Sequence, residues 1–247
     1  MERLRTQRLF ITEPLIAGGL VNVERQQANY LLNVLRLKDG APIYVFNGTD
    51  GEWLAHLKPQ SRKVCQLIVE KQVQSQTAPS NLTYLFAPLK QARLDYMVQK
   101  ATEMGAGSLQ PVLTQHTQVT RLNIERMRAN AIEAAEQCGI LSIPDCHMPV
   151  KLEPLISGWD TSRPIMFCDE NAGDENLATV LGKFENLTPG VVPAVLIGPE
   201  GGFSENERQL LNSKPFVTAI SLGPRILRAD TAAVAALAIA QAHCGDW

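Results

Sequence analysis

Short apolar runs alternate with amphipathic segments from residue 80 onward, and this alternation limits the possible folds more than any other feature of the chain. Five runs have the length and composition of buried strands, at 82–88, 109–113, 165–168, 194–197 and 217–222. Helical patterns separate them, as at 91–104 and 123–137. Strands that alternate with helices form a mainly parallel sheet covered by helices. We therefore predict an α/β domain whose ligands bind beyond the carboxyl ends of the strands.

The first third of the chain follows another pattern. Apolar runs at 42–46 and 53–57 flank the Asn-Gly-Thr-Asp-Gly segment at 47–51, whose residues tolerate positive φ and predict a hairpin turn. A helical pattern at 24–35 stops before Gly40. Short apolar runs separated by turns predict a small β-barrel-like module.

A polar run at 72–80 separates the two patterns, so we predict domains over residues 1–73 and 80–247. The net charge of −2 excludes a protein that coats nucleic acid indiscriminately, because such binding requires many phosphate contacts from Lys and Arg. Residues 1–75 nevertheless carry ten Lys and Arg against seven Asp and Glu, whereas the remainder carries thirteen against eighteen. Basic side chains are therefore concentrated in the first predicted domain.

The composition is that of an ordinary globular protein, with 45% hydrophobic and 19% charged residues. No run approaches the roughly 18 apolar residues of a membrane span, and the polar N-terminus lacks the apolar core of a secretory signal. Five cysteines without a Cys-x-x-Cys pair favour a reducing compartment, and the spacing of Cys138 and Cys146-His147 matches no standard zinc pattern. We expect a cytoplasmic protein without a metal and without a membrane partner.

The run at 194–197 breaks into a glycine-rich loop, Gly198-Pro199-Glu200-Gly201-Gly202, before a new helix. Ser204 and Glu207 have the spacing of a capping box at its start. Glycines let the backbone approach a ligand closely, but the loop has neither the phosphate-loop nor the dinucleotide spacing. A ligand site and a tight strand-to-helix turn are both open at this point.

A second segment, at 221–232, leads from the last apolar run into an alanine-rich helix that reaches about Gln241. Asp230 or Thr231 is a natural N-cap for this helix. Such small side chains suit close packing, either against the sheet or against a second copy of the chain. The sequence does not decide between these two.

Together the two segments resemble the paired C-terminal motifs of the SPOUT methyltransferases, and specifically the RsmE family, which methylates N3 of a uridine in small-subunit ribosomal RNA. The family's strand-loop is similar to residues 197–204, and its last loop to residues 222–228. Further similar segments occur in the same order, at 8–10, 34–37, 99–106 and 131–139. The resemblance therefore covers nearly the whole chain. Tyr30, Ile140 and Asp230 depart from residues that are common in the family.

The resemblance implies an α/β protein, with an N-terminal PUA-like β-barrel followed by a SPOUT-type α/β domain that has a C-terminal trefoil knot. It implies a homodimer formed through the knotted domain, and S-adenosylmethionine held by the knotted loops. By position, the residues that bind this cofactor are Phe167, Leu196, Ile197, Gly198, Pro199, Glu200, Gly201, Gly202, Leu222, Gly223, Ile226 and Leu227.

Methylation of uracil N3 requires loss of the proton on that atom, since the protonated nitrogen is a poor nucleophile. A cation near the uracil oxygens stabilises the charge that develops, and Arg228 is the predicted cation. Glu200 and Asp230 are the candidate proton acceptors. Turn hydrogen bonding for Glu200 and helix capping for Asp230 are equally open roles.

The implied partner is 16S ribosomal RNA or the small ribosomal subunit. The predicted phosphate contacts are Arg3, Arg5, Arg8, Arg25, Arg36, Lys38, Lys90 and Arg93, although a single such cation is more often a solvated charge.

Two alternatives to this function stay open. One is a SPOUT methyltransferase for transfer RNA or a ribose 2′-oxygen, and the other is a non-catalytic RNA-binding assembly factor.

Overall fold

The structure, a computed structural model, describes residues 6–119, 121–173, 177–184, 187 and 191–247. It divides into two compact units, Met1–Ala78 with Ala135–Ile143, and Pro79–Ala134 with Pro144–Trp247. The first boundary lies within the predicted polar run. The segment Ala135–Ile143 groups with the first unit, so the predicted continuous domains at 1–73 and 80–247 stay predictions.

The first unit contains a five-stranded mixed sheet. Its strands are β1 (Arg8–Phe10), β2 (Leu20–Asn22), β3 (Pro42–Phe46), β4 (Glu52–Ser61) and β5 (Val64–Gln74). They are ordered β1-β3-β4-β5-β2, with β1 parallel to β3 and the other neighbours antiparallel. Because β3 and β4 pair on either side of residues 47–51, the predicted hairpin is confirmed.

Alternating apolar residues bury one side of this sheet. Ile43 and Val45 of β3 are fully buried, as are Leu57 of β4 and Leu67 of β5, which is the two-residue period of a half-buried strand. Helix α1 (Arg25–Asn29) continues into a π-helical turn at Tyr30–Val34. The helix predicted at 24–35 is thus present, but its second half is wider than an α-helix.

The second unit contains the predicted parallel sheet. Its strands are β6 (Thr83–Phe86), β7 (Ser108–Leu113), β8 (Asp145–Cys146), β9 (Val150–Lys151), β10 (Ile165–Cys168), β11 (Ala194–Ile197) and β12 (Val217–Ile220). The order is β12-β10-β11-β6-β7-β8, with β9 beside β7, and every pairing is parallel. All five predicted strands are confirmed, and the α/β class with them.

Six helices accompany these strands in the part of the chain that the structure describes. They are α2 (Gln91–Glu103), α3 (Ile124–Cys138), α4 (Leu152–Ser157), α5 (Leu177–Leu181), α6 (Glu205–Asn212) and α7 (Ala229–Cys244). A 3-10 turn, Gly182–Phe184, follows α5. Within the described residues, no helix is both long enough and apolar enough to span a bilayer.

One face of the sheet and two helices form a hydrophobic core. Phe167 of β10 lies beside Leu196 of β11 in the register, and both are fully buried together with Ile156 of α4 and Leu211 of α6. Helix α7 packs against β11 and α2. This packing fixes where the loops after β10, β11 and β12 begin.

The chain leaves two neighbouring strands of the sheet in opposite directions. From β6 it runs through α2 to β7, whereas from β11 it runs through α6 to β12 beyond β10. Since β6 and β11 are adjacent, their carboxyl ends flank a topological switch point. Crevices at such points are the usual ligand sites of open parallel sheets.

Candidate functional site

Three loops begin side by side at the carboxyl edge of the sheet. Cys168, the last residue of β10, lies opposite Ile197 of β11 and Ile220 of β12 in the register. The loops that start at Asp169, Gly198 and Ser221 are therefore neighbours. The segments that the sequence analysis identified are therefore brought together, although their starting points are 29 and 23 residues apart along the chain.

The glycine-rich loop after β11 is held in a tight turn. The N–H of Gly202 donates to the carbonyl of Pro199 at 2.9 Å, and Gly202 has φ of +65°, which favours glycine. The predicted capping box is confirmed, because Ser204 Oγ accepts from the N–H of Glu207 and a Glu207 carboxylate oxygen accepts from the N–H of Ser204 at 2.9 Å. The capping box orients the loop at the point where α6 begins.

Gly198 lies directly against an aromatic ring. A Cβ at this position would be 2.5 Å from Cε2 of Phe203. Phe203 is buried and packs edge-on against Phe167, with ring centroids 4.9 Å apart. The ring cannot move aside, so close packing requires glycine at 198.

A histidine from another loop holds the glycine-rich loop. Nδ1 of His116, in the loop after β7, lies 3.0 Å from the carbonyl oxygen of Gly201 and 3.2 Å from that of Gly202. The neighbouring backbone N–H of Gln115 donates to Glu207 at 2.8 Å. The sequence analysis missed His116, because a single histidine 85 residues before its partner carries no recognisable pattern.

An arginine joins the loops after β10 and β11. Arg208 of α6 donates to Asp169 at 3.1 Å, to Glu170 at 2.5 Å and to the carbonyl of Phe203 at 2.6 Å. Asp169 is almost fully buried, so this pairing neutralises a carboxylate that has little access to water. Arg208 was also missed, since its position on α6 resembles that of any surface arginine.

The loop before α7 is open. Gly223 and Arg228 are exposed, and the side chain of Ile226 is 92% exposed, whereas Leu222 and Leu227 are half-buried. A Cβ at Gly223 would meet nothing within 4 Å, but its φ of +102° favours glycine. The loop thus presents backbone and Arg228 at the rim of the site.

The predicted N-cap of α7 is wrong. Arg228 occupies the N-cap position, and the helix begins at Ala229. Asp230 lies in the first turn, where its carboxylate accepts the N–H of Thr231 at 2.9 Å. Burial raises the pKa of Tyr84 on β6, and the nearby Cys168 and Asp230 raise it further.

The predicted cofactor residues fall into two groups. Phe167, Leu196, Ile197 and Pro199 are buried, so a ligand at the loops has little access to them, and it has none to Phe167 and Leu196, which are 0% exposed. The others are half-buried or exposed, namely Gly198, Glu200, Gly201, Gly202, Leu222, Gly223, Ile226 and Leu227. Within the described residues, the main-chain groups of Leu222 have no hydrogen-bond partner. This edge fits a ligand that is bound mainly by backbone groups.

Arg8, one of the predicted RNA contacts, has a structural role in the first unit. Its guanidinium donates to Glu52 at 2.6 Å and to the carbonyl oxygens of Glu136 at 2.9 Å and Ile140 at 3.1 Å, all within the first unit. It also lies over the ring of Phe46, 4.6 Å from the centroid. Arg8 is therefore a half-buried structural cation, and four of its five guanidinium N–H groups are used within the first unit.

The other predicted RNA contacts differ in their surroundings. Arg3 and Arg5 lie outside the described residues, and Arg25, Arg36 and Lys38 are exposed on the first unit. Arg36 has φ of +54°, an uncommon backbone conformation for a residue other than glycine. On the second unit Lys90 and Arg93 line a cavity of about 470 Å³, together with Ala92, Gln118 and Glu200.

Comparison with known proteins agrees with this arrangement. A family model described as an RNA methyltransferase domain matches residues 76–241, and one described as an RNA methyltransferase PUA domain matches residues 23–70. Ribosomal RNA small subunit methyltransferase E from Rickettsia conorii is 30% identical over 98% of this chain and 99% of its own length. The protein of the same name from Synechocystis is 34% identical over 94% of this chain and 76% of its own length.

Likeness extends to the three-dimensional structure. A solved structure from Legionella pneumophila, in complex with the bound cofactor SAM, has a TM-score of 0.84 and 28% sequence identity, over 98% of this chain and 100% of its own. The first family model matches more than half of this chain, and the Rickettsia relative is similar along almost all of it. The chain therefore belongs to the family of RNA methyltransferases that carries the name ribosomal RNA small subunit methyltransferase E.

Proposed function

We propose that this chain is an S-adenosylmethionine-dependent enzyme that methylates N3 of one uridine in the 16S ribosomal RNA of the small subunit, near the decoding site. The observation that carries the proposal is the convergence of the loops after β10, β11 and β12, with Arg228 at their open rim. The name of its relatives supports the ribosomal substrate, and the bound cofactor of the Legionella structure supports the methyl donor.

S-adenosylmethionine supplies an electrophilic methyl group. Gly198, Gly201 and Gly202 of the loop after β11 and Leu222 and Leu227 of the loop after β12 would hold it. Backbone groups hold a ligand without the rotamer entropy of long side chains, so the fixed turns after β11 and β12 are suited to this task. His116 and Arg208 hold these loops by hydrogen bonds and so position the backbone groups that would face the ligand.

Arg228 is the cation that would stabilise the uracil anion as N3 loses its proton. It is exposed, and its position at the N-cap of α7 fixes its backbone at the rim of the loop. Glu200 and Asp230 are the two carboxylates that could accept the proton. Glu200 is exposed and pairs with Arg93, with 3.3 Å between Nη1 and Oε1. The carboxylate of Asp230, in contrast, accepts a hydrogen bond from the N–H of Thr231 in the first turn of α7. Glu200 is therefore the better placed of the two.

The similarity to the family, and not the strand pairings, supports two further features of the fold. We infer that the five-stranded sheet of the first unit closes into a PUA-like barrel that binds RNA, and that the chain through residues 221–228 is threaded as a trefoil knot. We also infer that the enzyme works in the cytoplasm, where ribosomal RNA is available to it.

A homodimer through α7 is the remaining inference. The helix buries Ala233, Ala236, Leu237 and Ala240 on one face. The opposite face is also apolar and only half-buried, and it comprises Val234, Ala235 and Ala238. A second copy of the helix could pack closely on such small residues.

Mass spectrometry of ribosomal RNA from a strain that lacks this gene tests the function. We expect the loss of one 3-methyluridine from 16S ribosomal RNA, and its return when the intact gene is supplied. Loss of a transfer RNA or 2′-O-methyl modification instead would assign another substrate. If the RNA modifications are unchanged and the pure protein does not bind S-adenosylmethionine, the proposed function is wrong, and the alternative of a non-catalytic assembly factor is favoured.

A further inference from the structure

A cavity of about 470 Å³ opens at the topological switch point between β6 and β11. Lys90, Ala92 and Arg93 line it from the start of α2, Gln118 from the loop after β7, and Glu200 from the loop after β11. Its volume is within the range of about 300 to 1,000 Å³ found for small-ligand sites. It therefore has room for one nucleotide.

This cavity is distinct from the proposed cofactor site. The cofactor loops follow β10, β11 and β12, whereas four of the five residues that line the cavity belong to the start of α2 and to the loop after β7. Only Glu200 belongs to both. A molecule in the cavity would thus lie beside a ligand of the glycine-rich loop without displacing it.

The charges in the cavity favour an anion. Arg93 pairs with Glu200, which neutralises both groups. Lys90 is exposed, and no carboxylate within the described part of the chain lies within ion-pair distance of its ammonium group. The cavity therefore retains one uncompensated positive charge beside the guanidinium of Arg93, a combination that suits a phosphate.

We propose that this switch-point cavity holds the extruded target nucleotide, with its phosphate on Lys90 and Arg93 and its base directed toward Glu200 and the glycine-rich loop. The proposal rests on the proposed function. N3 lies on the edge of uracil that pairs with other bases, so an enzyme that modifies it must take the base out of any pair or stack. Gln118 offers both a donor and an acceptor to the sugar or the base.

The test compares Lys90→Ala and Arg93→Gln with Lys214→Ala, which removes a lysine that precedes β12 at the opposite edge of the sheet. Methylation of ribosomal RNA is measured against RNA and salt concentration. We expect KM for RNA to rise about tenfold in either cavity variant, as for the loss of one charged hydrogen bond. S-adenosylmethionine affinity should stay unchanged.

Salt dependence separates a phosphate contact from a structural effect. Each lost contact should lower the slope of log KM against log salt concentration by about 0.7, while Lys214→Ala should keep the slope of the natural chain. An unchanged slope and an unchanged KM in both cavity variants would overturn the proposal.

Binding of uridine 5′-monophosphate, followed by NMR at millimolar concentration, gives a result that does not depend on catalysis. We expect the natural chain to bind the monophosphate more tightly than uridine, and Lys90→Ala to lose that difference. Equal binding of the two compounds by the natural chain, or no binding of either, would contradict the cavity assignment. If binding depends on the phosphate but 16S ribosomal RNA is not methylated, the cavity is still a nucleotide site, and the proposed RNA substrate is wrong.

Discussion

Nδ1 of His116 lies 3.0 Å from the carbonyl oxygen of Gly201, so a side chain from the loop after β7 fastens the loop after β11. A carbonyl oxygen only accepts hydrogen bonds, and Nδ1 must therefore carry the proton. The same ring also reaches the carbonyl of Gly202 at 3.2 Å. Holding the loop in place before a ligand arrives lowers the entropy that binding must overcome.

Replacing this histidine should weaken cofactor binding without stopping the reaction. We expect His116→Ala to lower S-adenosylmethionine affinity about fivefold, which corresponds to about 1 kcal/mol for one hydrogen bond. Calorimetry measures the affinity. His147→Ala is the matched control, because it removes a histidine ring that bonds to the hydroxyl of Ser108 and not to the glycine-rich loop. Equal affinities in the two variants would show that the hydrogen bonds of His116 to the glycine-rich loop have no part in S-adenosylmethionine binding.

Gly198 should tolerate no side chain. In Gly198→Ala the new methyl group would be 2.5 Å from the ring of Phe203, and such overpacking costs about 1 to 3 kcal/mol. Urea unfolding should show this loss in the free energy of unfolding. Gly173→Ala is the control, since a Cβ there would meet nothing within 4 Å. Two variants of equal stability would mean that the loop moves freely.

Local patterns made part of this site predictable. The capping box of Ser204 and Glu207 and the strand that precedes it depend on residues close in sequence, and both were predicted correctly. The hydrogen bonds of His116 depend on partners 85 and 86 residues away, and the structural role of Arg8 depends on partners 44 to 132 residues away. A side chain type alone does not tell a structural arginine from a phosphate contact.

The ion pairs of Arg208 with Asp169 and Glu170 should stabilise the folded protein as well as hold the two loops in position. Arg208→Ala leaves Asp169, whose side chain is 4% exposed, without its cation. Loss of one partner from such a pair costs on the order of 2 to 3 kcal/mol. Arg126→Ala removes an exposed pairing with Asp95 and should cost much less. Urea unfolding that ranks the two variants the other way would refute this account.

Arg228 should be required for methyl transfer but not for cofactor binding. Arg228→Ala should lower the rate by on the order of a hundredfold, as for the loss of one group that stabilises a developing charge. The fold should be intact, because the side chain is exposed and makes no cap hydrogen bond. Arg225→Ala, in the same loop, provides the comparison. Unchanged turnover in Arg228→Ala would remove this residue from the mechanism.

The half-buried face of α7 should determine the oligomeric state. Ala235→Glu places a charge among Val234 and Ala238, and burying an unpaired carboxylate against a second helix is costly. Light scattering after gel filtration should therefore show a dimer for the natural chain and a monomer for this variant. Asn206→Glu adds the same charge on exposed α6 and should remain dimeric. A natural chain that is monomeric, or a dimer that survives Ala235→Glu, would exclude this face as the contact between copies.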